Sequence, residues 1–341
     1  MRKGSTVRGI GCWGLLGVLL STTGCVFIRA DLNPFRPRPE PLVEMTVSGE
    51  GRDKILLVDI SRLITSAPPR SFLGPETSPS TIARVREELE RVEKDERVRA
   101  VVLRINSPGG TVTASDTLYH QLREFAARTR RPIVAHLGDV GTSGAYYVAL
   151  AADEIVASPT CVTGSIGVIL MGVNFSGLMS KLGISNQTLK SGQLKDAGSP
   201  LRPMEAEERE LLQGILQAMH ERFLATLQER RPGMSGEALR TVRDGRVVLA
   251  AQASELGLID RVGYLDDAIA RARALAGLDR ARVVMYRRPS QLGENIYSAA
   301  GSGAPHVAGF HLDFHAASEP PEFYYLWAPG LGVAPESVIS Q

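Results

Sequence analysis

Cysteine is nearly missing from these 341 residues. Of three, Cys12 and Cys25 fall in the first 25 positions and only Cys161 lies beyond them. That excludes an intrachain disulfide framework in the body, and Cys161 reads as a small buried apolar residue. Charge of one sign is equally scarce: the formal net charge is +2, and no basic stretch is interleaved with aromatics, so nothing argues for nucleic acid. The apolar run at 10–20 (IGCWGLLGVLL) is too short for a comfortable membrane span. Lysine is rare, six against 33 arginines, and no histidine occurs between His136 and His220. A dinucleotide fold is excluded too, because Gly301 and Gly303 have no strand before them.

What is present begins with a leader. Arg2, Lys3 and Arg8 precede the apolar run, and small residues at 21–24 lead to Cys25. This resembles a bacterial lipoprotein signal with lipid attached at Cys25, although Thr22 stands where leucine is usual. An uncleaved short anchor is the alternative. Either reading anchors the body to a membrane on its extracytoplasmic (periplasmic or outer) face. The Pro-rich 31–41 (DLNPFRPRPEP) is a semi-rigid tether, so the chain divides into leader 1–25, tether 26–53, body 54–288 and tail 289–341.

In the body, apolar runs at 55–60, 100–105, 132–137, 154–157 and 165–170 predict strands, with amphipathic helices at 82–95 and 114–129 between them. That alternation indicates a layered α/β fold with a mainly parallel sheet. The longest helical pattern, 205–230, carries a wide apolar stripe (Leu211, Leu212, Ile215, Leu216, Met219, Phe223, Leu224, Leu227) that fits either core or a partner subunit. Strand 247–249, helices 251–256 and 265–276, and strand 283–286 close the body. In the tail, His311, Asp313 and His315 would share one face of a strand, but without supporting residues they make a weak metal motif, and no metal or cofactor is expected. The aromatic cluster at 323–327 (FYYLW) reads as a pin holding the tail to the body or to a neighbour.

The chain's chemistry concentrates in two glycine-rich turns, each following a strand: NSPGG (106–110) and GTSGAYY (141–147). Ser143, on a glycine-flanked turn at a helix start, is placed as a nucleophile needs. A serine hydroxyl also needs a base. His136 on the strand just upstream is one candidate, though a buried strand histidine is more often core. Lysine is the better clue: arginine does not deprotonate usefully in a protein, whereas a desolvated lysine can serve as a base. Of three lysines within 181–195, Lys195 lies in a glycine-bounded loop, Lys190 ends an apparent strand and ranks second, and Lys181 reads as a helix-end charge.

Together NSPGG, TSGAYY, TGSIGV (163–168), SGQLKDAGSP (191–200) and GRVVLAAQASELGLID (245–260) resemble the bacterial signal-peptide peptidase (protease IV) family over about residues 54–285. The resemblance implies a crotonase/Clp-protease type of fold built from ββα units. It also implies a Ser–Lys dyad of Ser143 and Lys195, with Ser165 orienting the lysine, and membrane-side homo-oligomeric rings in which the lysine can reach a neighbour's serine. Backbone N–H groups of Gly144 and of Gly109 or Gly110 would cradle the oxyanion. The expected substrates are apolar peptides such as signal-peptide remnants. Two alternatives remain open at this point: a catalytically silent membrane-tethered ring scaffold, and an acyl-CoA enzyme on the same fold.

Overall fold

The computed structural model describes residues 41–68, 79–289, 295–297 and 323–327. In chain order the elements are β1 (Val43–Ser48), β2 (Lys54–Ser61), α1 (Thr81–Glu93), β3 (Val98–Ser107), β4 (Gly109–Thr111), α2 (Val112–Thr129), β5 (Ile133–Thr142) and α3 (Gly144–Ala149). They continue as β6 (Glu154–Ala157), β7 (Val162–Gly164), β8 (Ile169–Leu170), α4 (Ser176–Lys181), α5 (Ala206–Arg230) and α6 (Gly236–Val242). The last are β9 (Val247–Leu249), α7 (Ala250–Glu255), β10 (Arg261–Val262), α8 (Leu265–Leu275), β11 (Arg282–Arg287) and β12 (Phe323–Leu326). No helix among the described residues is long and apolar enough to cross a membrane.

The continuous apolar runs form a sheet in the order β1-β11-β2-β3-β5-β6-β10, parallel from β11 to β10 and edged by antiparallel β1. Both faces are buried, as the period of two requires. Leu56, Val58, Val101, Leu103, Ile133 and Ala135 face one way, against residues of α1, α2 and α3. Ile55, Leu57, Ala100, Val102 and Val134 face the other, against Leu265, Ala268 and Ala272 of α8. The β3–β4–α2 segment is a ββα unit of the kind the motif resemblance implies. Thr111 closes it by accepting the Ala114 N–H, which caps α2 directly after the glycine loop.

Three details differ from the sequence reading, and a fourth bears on a choice it left open. The folded sheet starts at Val43 rather than near Lys54, because β1 pairs with β11 and is tied down by Lys54, whose buried ammonium meets Glu44 (2.7 Å) and Asp95 (2.8 Å). The strand expected at 165–170 is broken. Gly164 and Ser165 both have positive φ, so β7 stops at Gly164 and pairing resumes only at Ile169. Lys190 ends no strand; the chain before it is irregular. Finally, the apolar stripe of α5 is buried at Leu212, Phe223, Leu224 and Leu227, while Leu211 is exposed. Cys25, His311, Asp313 and His315 lie outside the described residues.

Candidate active site

Strand β5 ends at Thr142, and Ser143 turns the chain into α3 with φ +53° and ψ −119°. A β-carbon makes this conformation costly, on the order of 1–3 kcal/mol, so the surroundings must enforce it. Two backbone bonds do so: the Ser143 N–H donates to the Gly164 carbonyl (2.8 Å), and its own carbonyl accepts the Tyr147 N–H (2.9 Å). Ser143 is 1% exposed, and its buried hydroxyl has no hydrogen-bond partner among the described residues. A strained, buried and unpartnered hydroxyl is a costly feature for mere packing.

Three glycines crowd around it because side chains there would collide. A β-carbon at Gly110 would lie 1.9 Å from the Ile64 carbonyl oxygen, and one at Gly144 would lie 2.4 Å from Ser115 Oγ. Gly109 has φ +113°, and a β-carbon there would come within 2.9 Å of the Gly144 nitrogen. The Gly110 nitrogen is likewise 3.1 Å from the β-carbon position of Gly144, so two backbone nitrogens converge beside Ser143. Gly109 N–H is engaged by Ser107 Oγ (3.1 Å) and Thr111 N–H by the Ile64 carbonyl (3.0 Å), while Gly110 pairs with Tyr325 of β12.

The parallel register Thr142↔Gly164 carries Ser165 to the position beside Ser143. Ser165 is buried, with φ +53°, and its N–H donates to the Arg246 carbonyl (2.7 Å). Lys195 is placed differently. It sits in a short 3-10 turn, Gln193–Asp196, is exposed, and makes no ion pair or hydrogen bond to Ser143 within one chain among the described residues. Its neighbour Lys190 is committed to Asp196 (2.7 Å), which also binds Arg202 (2.6 Å), so the loop is braced while Lys195 is left over. The Phe175 N–H to Pro200 carbonyl bond (2.7 Å) closes an excursion whose Leu178, Leu182, Ile184 and Leu189 are all exposed, Leu189 at 98%.

Among the described residues no histidine is in contact with Ser143 Oγ. His136 is buried, its Nε2 lies 3.2 Å from Ser158 Oγ, and desolvation lowers its pKa to about 4. His220, half-buried on α5, is also shifted down by desolvation.

A model of peptidase family S49 matches residues 126–279, the segment that contains Ser143, Ser165 and Lys195. A Synechocystis sp. protein whose name marks it as a protease is 34% identical over 232 residues, 68% of this chain and 78% of its own length. The chain belongs to peptidase family S49. An S49 relative of Methanocaldococcus jannaschii, also named as a protease, is 38% identical over 58% of this chain and 63% of its own. A protein of Enterococcus faecium named for signal peptide peptidase SppA is 34% identical over 59% and 58% respectively. The chain thus spans about three fifths of these two relatives. Membership agrees with the motif resemblance and with the crotonase/Clp type of α/β fold that it implies.

In this S49 chain two further groups at the site escaped the sequence reading. Ser115 of α2 is buried with an unpartnered hydroxyl beneath Gly144. Tyr147, the last aromatic of the TSGAYY motif, joins Tyr119, Phe223 and Tyr325 in an aromatic cluster with ring centroids 4.8–5.3 Å apart. Tyr147 was visible as a motif residue; the other three come together only through the fold. Cys161 is fully buried and its thiol is pushed up to about 12 by desolvation, which makes it inert.

Proposed function

We propose that this protein is a membrane-associated serine endopeptidase in which Ser143 is the nucleophile and Lys195 the general base. Its substrates are cleaved signal peptides or other apolar peptides, and its site of action is the extracytoplasmic membrane face. The observation that carries the reading is the buried, unpartnered Ser143 hydroxyl on a strained turn beside the converging Gly110 and Gly144 nitrogens. A neutral Lys195 accepts the Ser143 proton as Oγ attacks a peptide carbonyl. The developing oxyanion meets the Gly110 and Gly144 N–H groups, where one such donor contributes about 3 kcal/mol. The protonated lysine then returns the proton to the leaving amine, and water releases the acyl group by the same path.

Lys195 reaches serine, in this reading, across a subunit boundary. Its exposed position, the unpartnered serine and the apolar excursion that carries it all support docking on the next copy of the chain. Head-to-tail repetition of such a contact closes into a ring. Ser165 orients the lysine amine.

The deciding experiment is hydrolysis of an apolar fluorogenic peptide by the full chain in detergent, with wild type beside Ser143→Ala and Lys195→Arg. Loss of at least about 10³-fold in both variants is expected, since arginine keeps the charge and loses the base. Retained turnover in either variant removes the dyad.

A further inference from the structure

A serine or threonine within a helix commonly turns its hydroxyl back to the carbonyl four residues earlier. Thr129 does so on the Phe125 carbonyl (2.8 Å), Thr226 on that of Arg222 (3.1 Å) and Thr241 on that of Glu237 (2.9 Å). Ser115, in the first turn of α2, does not. It is fully buried, and its hydroxyl makes no bond to Thr111 or to any other described residue. Alanine would fill nearly the same space without stripping a hydroxyl of water, so packing alone gives no reason for serine.

Gly144 shows where the hydroxyl lies. Ser115 Oγ is 2.4 Å from the position a β-carbon of Gly144 would take, and the Gly110 nitrogen is 3.1 Å from that same position. The Gly144 nitrogen is bonded to the α-carbon that would carry it. Three donors therefore surround one point that a side chain would have filled: two backbone N–H groups and one hydroxyl. An oxygen fits against this point, since the Tyr325 carbonyl oxygen lies 3.0 Å from it, yet that neutral carbonyl takes no bond from Ser115. The positive end of α2 adds to the field around Ser115 and favours an acceptor that carries negative charge.

We propose that Ser115 is a third donor, from a side chain, to the oxyanion formed during peptide cleavage. The inference deepens the peptidase reading and rests on it. As Ser143 Oγ bonds to the substrate carbonyl carbon, its proton passes to the base and the carbonyl π pair moves onto oxygen. That charged oxygen receives hydrogen bonds from the Gly110 and Gly144 N–H groups and from the Ser115 hydroxyl. When the pair returns to re-form the carbonyl, the bond to the leaving nitrogen breaks and that amine takes the proton from the base. Ser115 keeps its own proton throughout. A donor engaged only by the charged state lowers the barrier without tightening the substrate.

The test uses the full chain in detergent, an apolar fluorogenic peptide, and a boronic acid of the same peptide. The tetrahedral adduct of the boronic acid with Ser143 presents an oxygen to the same donors. Ser115→Ala should lower kcat by about 10²-fold with KM within about 2-fold of wild type. It should weaken the boronic acid by about 10²-fold as well, while the uncut peptide binds Ser143→Ala and Ser143→Ala/Ser115→Ala chains alike. The urea midpoint of Ser115→Ala should equal or exceed that of wild type, the opposite of what a hydroxyl kept for stability would give. Should alanine disturb the fold, Ser115→Cys, similar in shape and a weak donor, should show the same losses. Full kcat in both variants, or unchanged boronic acid affinity in both, overturns the inference while leaving a peptidase. A wild type that neither cuts the peptide nor binds the boronic acid removes the peptidase and the donor together.

Discussion

Ser143 has a left-handed backbone at the junction of a strand and a helix, and the glycines around it exist to let other atoms approach. Gly144 is the sharpest case, because Ser115 Oγ occupies the volume its side chain would need. Gly144→Ala should therefore destabilise the fold by about 1–3 kcal/mol and cut peptide hydrolysis by about 10²-fold. Adding Ser115→Ala should return part of the stability, and urea melts of the single and double variants measure that coupling. His136 gives a prediction in pH. Desolvation puts its folded-state pKa near 4, below the ordinary 6.5, so the unfolded chain binds the proton first as pH falls. Stability should drop between pH 6.5 and 4.5 by about 2–3 kcal/mol more in wild type than in His136→Met, read as the difference in urea midpoints between those pH values. The turn that holds Ser143 was legible, since serine between glycines at a strand's end has few ordinary explanations. The scarcity of lysine was a blunter guide. Lys54 survives among the arginines for a structural reason, its buried contact with two carboxylates, so rarity alone does not mark chemistry.

Among the elements, those with period-two apolar runs or strong helical stripes stood out in the sequence, and β2, β3, β5, α1 and α2 fall within a few residues of their expected places. Those held by partners distant in sequence did not. β1 follows a proline-rich stretch and gains its identity from β11, more than 230 residues away. β12 lies in a low-complexity tail and owes its form to β4 and β8. Positive φ at Gly164 and Ser165 interrupted a run that reads as one strand. The attachment of β1 is itself testable: Lys54→Met keeps the volume but leaves Glu44 and Asp95 facing a methyl group. A loss of about 2 kcal/mol is expected, below the range for fully buried pairs because both carboxylates retain some exposure, and faster hydrogen exchange should be confined to 43–48.

At the scale of the whole molecule, Ser143 is buried within the sheet body while Lys195 sits on an exposed apolar excursion. An assembly that shares its sites between copies makes a sharp forecast. Ser143→Ala and Lys195→Ala chains, each inactive alone, should regain a fraction of wild-type hydrolysis when unfolded and refolded together, because some boundaries then join an intact serine to an intact lysine. Recovery that rises with the mixing ratio up to parity is the expected result; no recovery in mixed assemblies would place both groups of each dyad in one chain.

The strand between β4 and β8 has a quantitative consequence. A strand joined by its own chain to the strands it pairs with is present at an effective concentration of up to the millimolar range, whatever the dilution of the protein. A separate chain at micromolar levels would compete against that figure for the edges of β4 and β8, so the pairing with β12 persists on dilution.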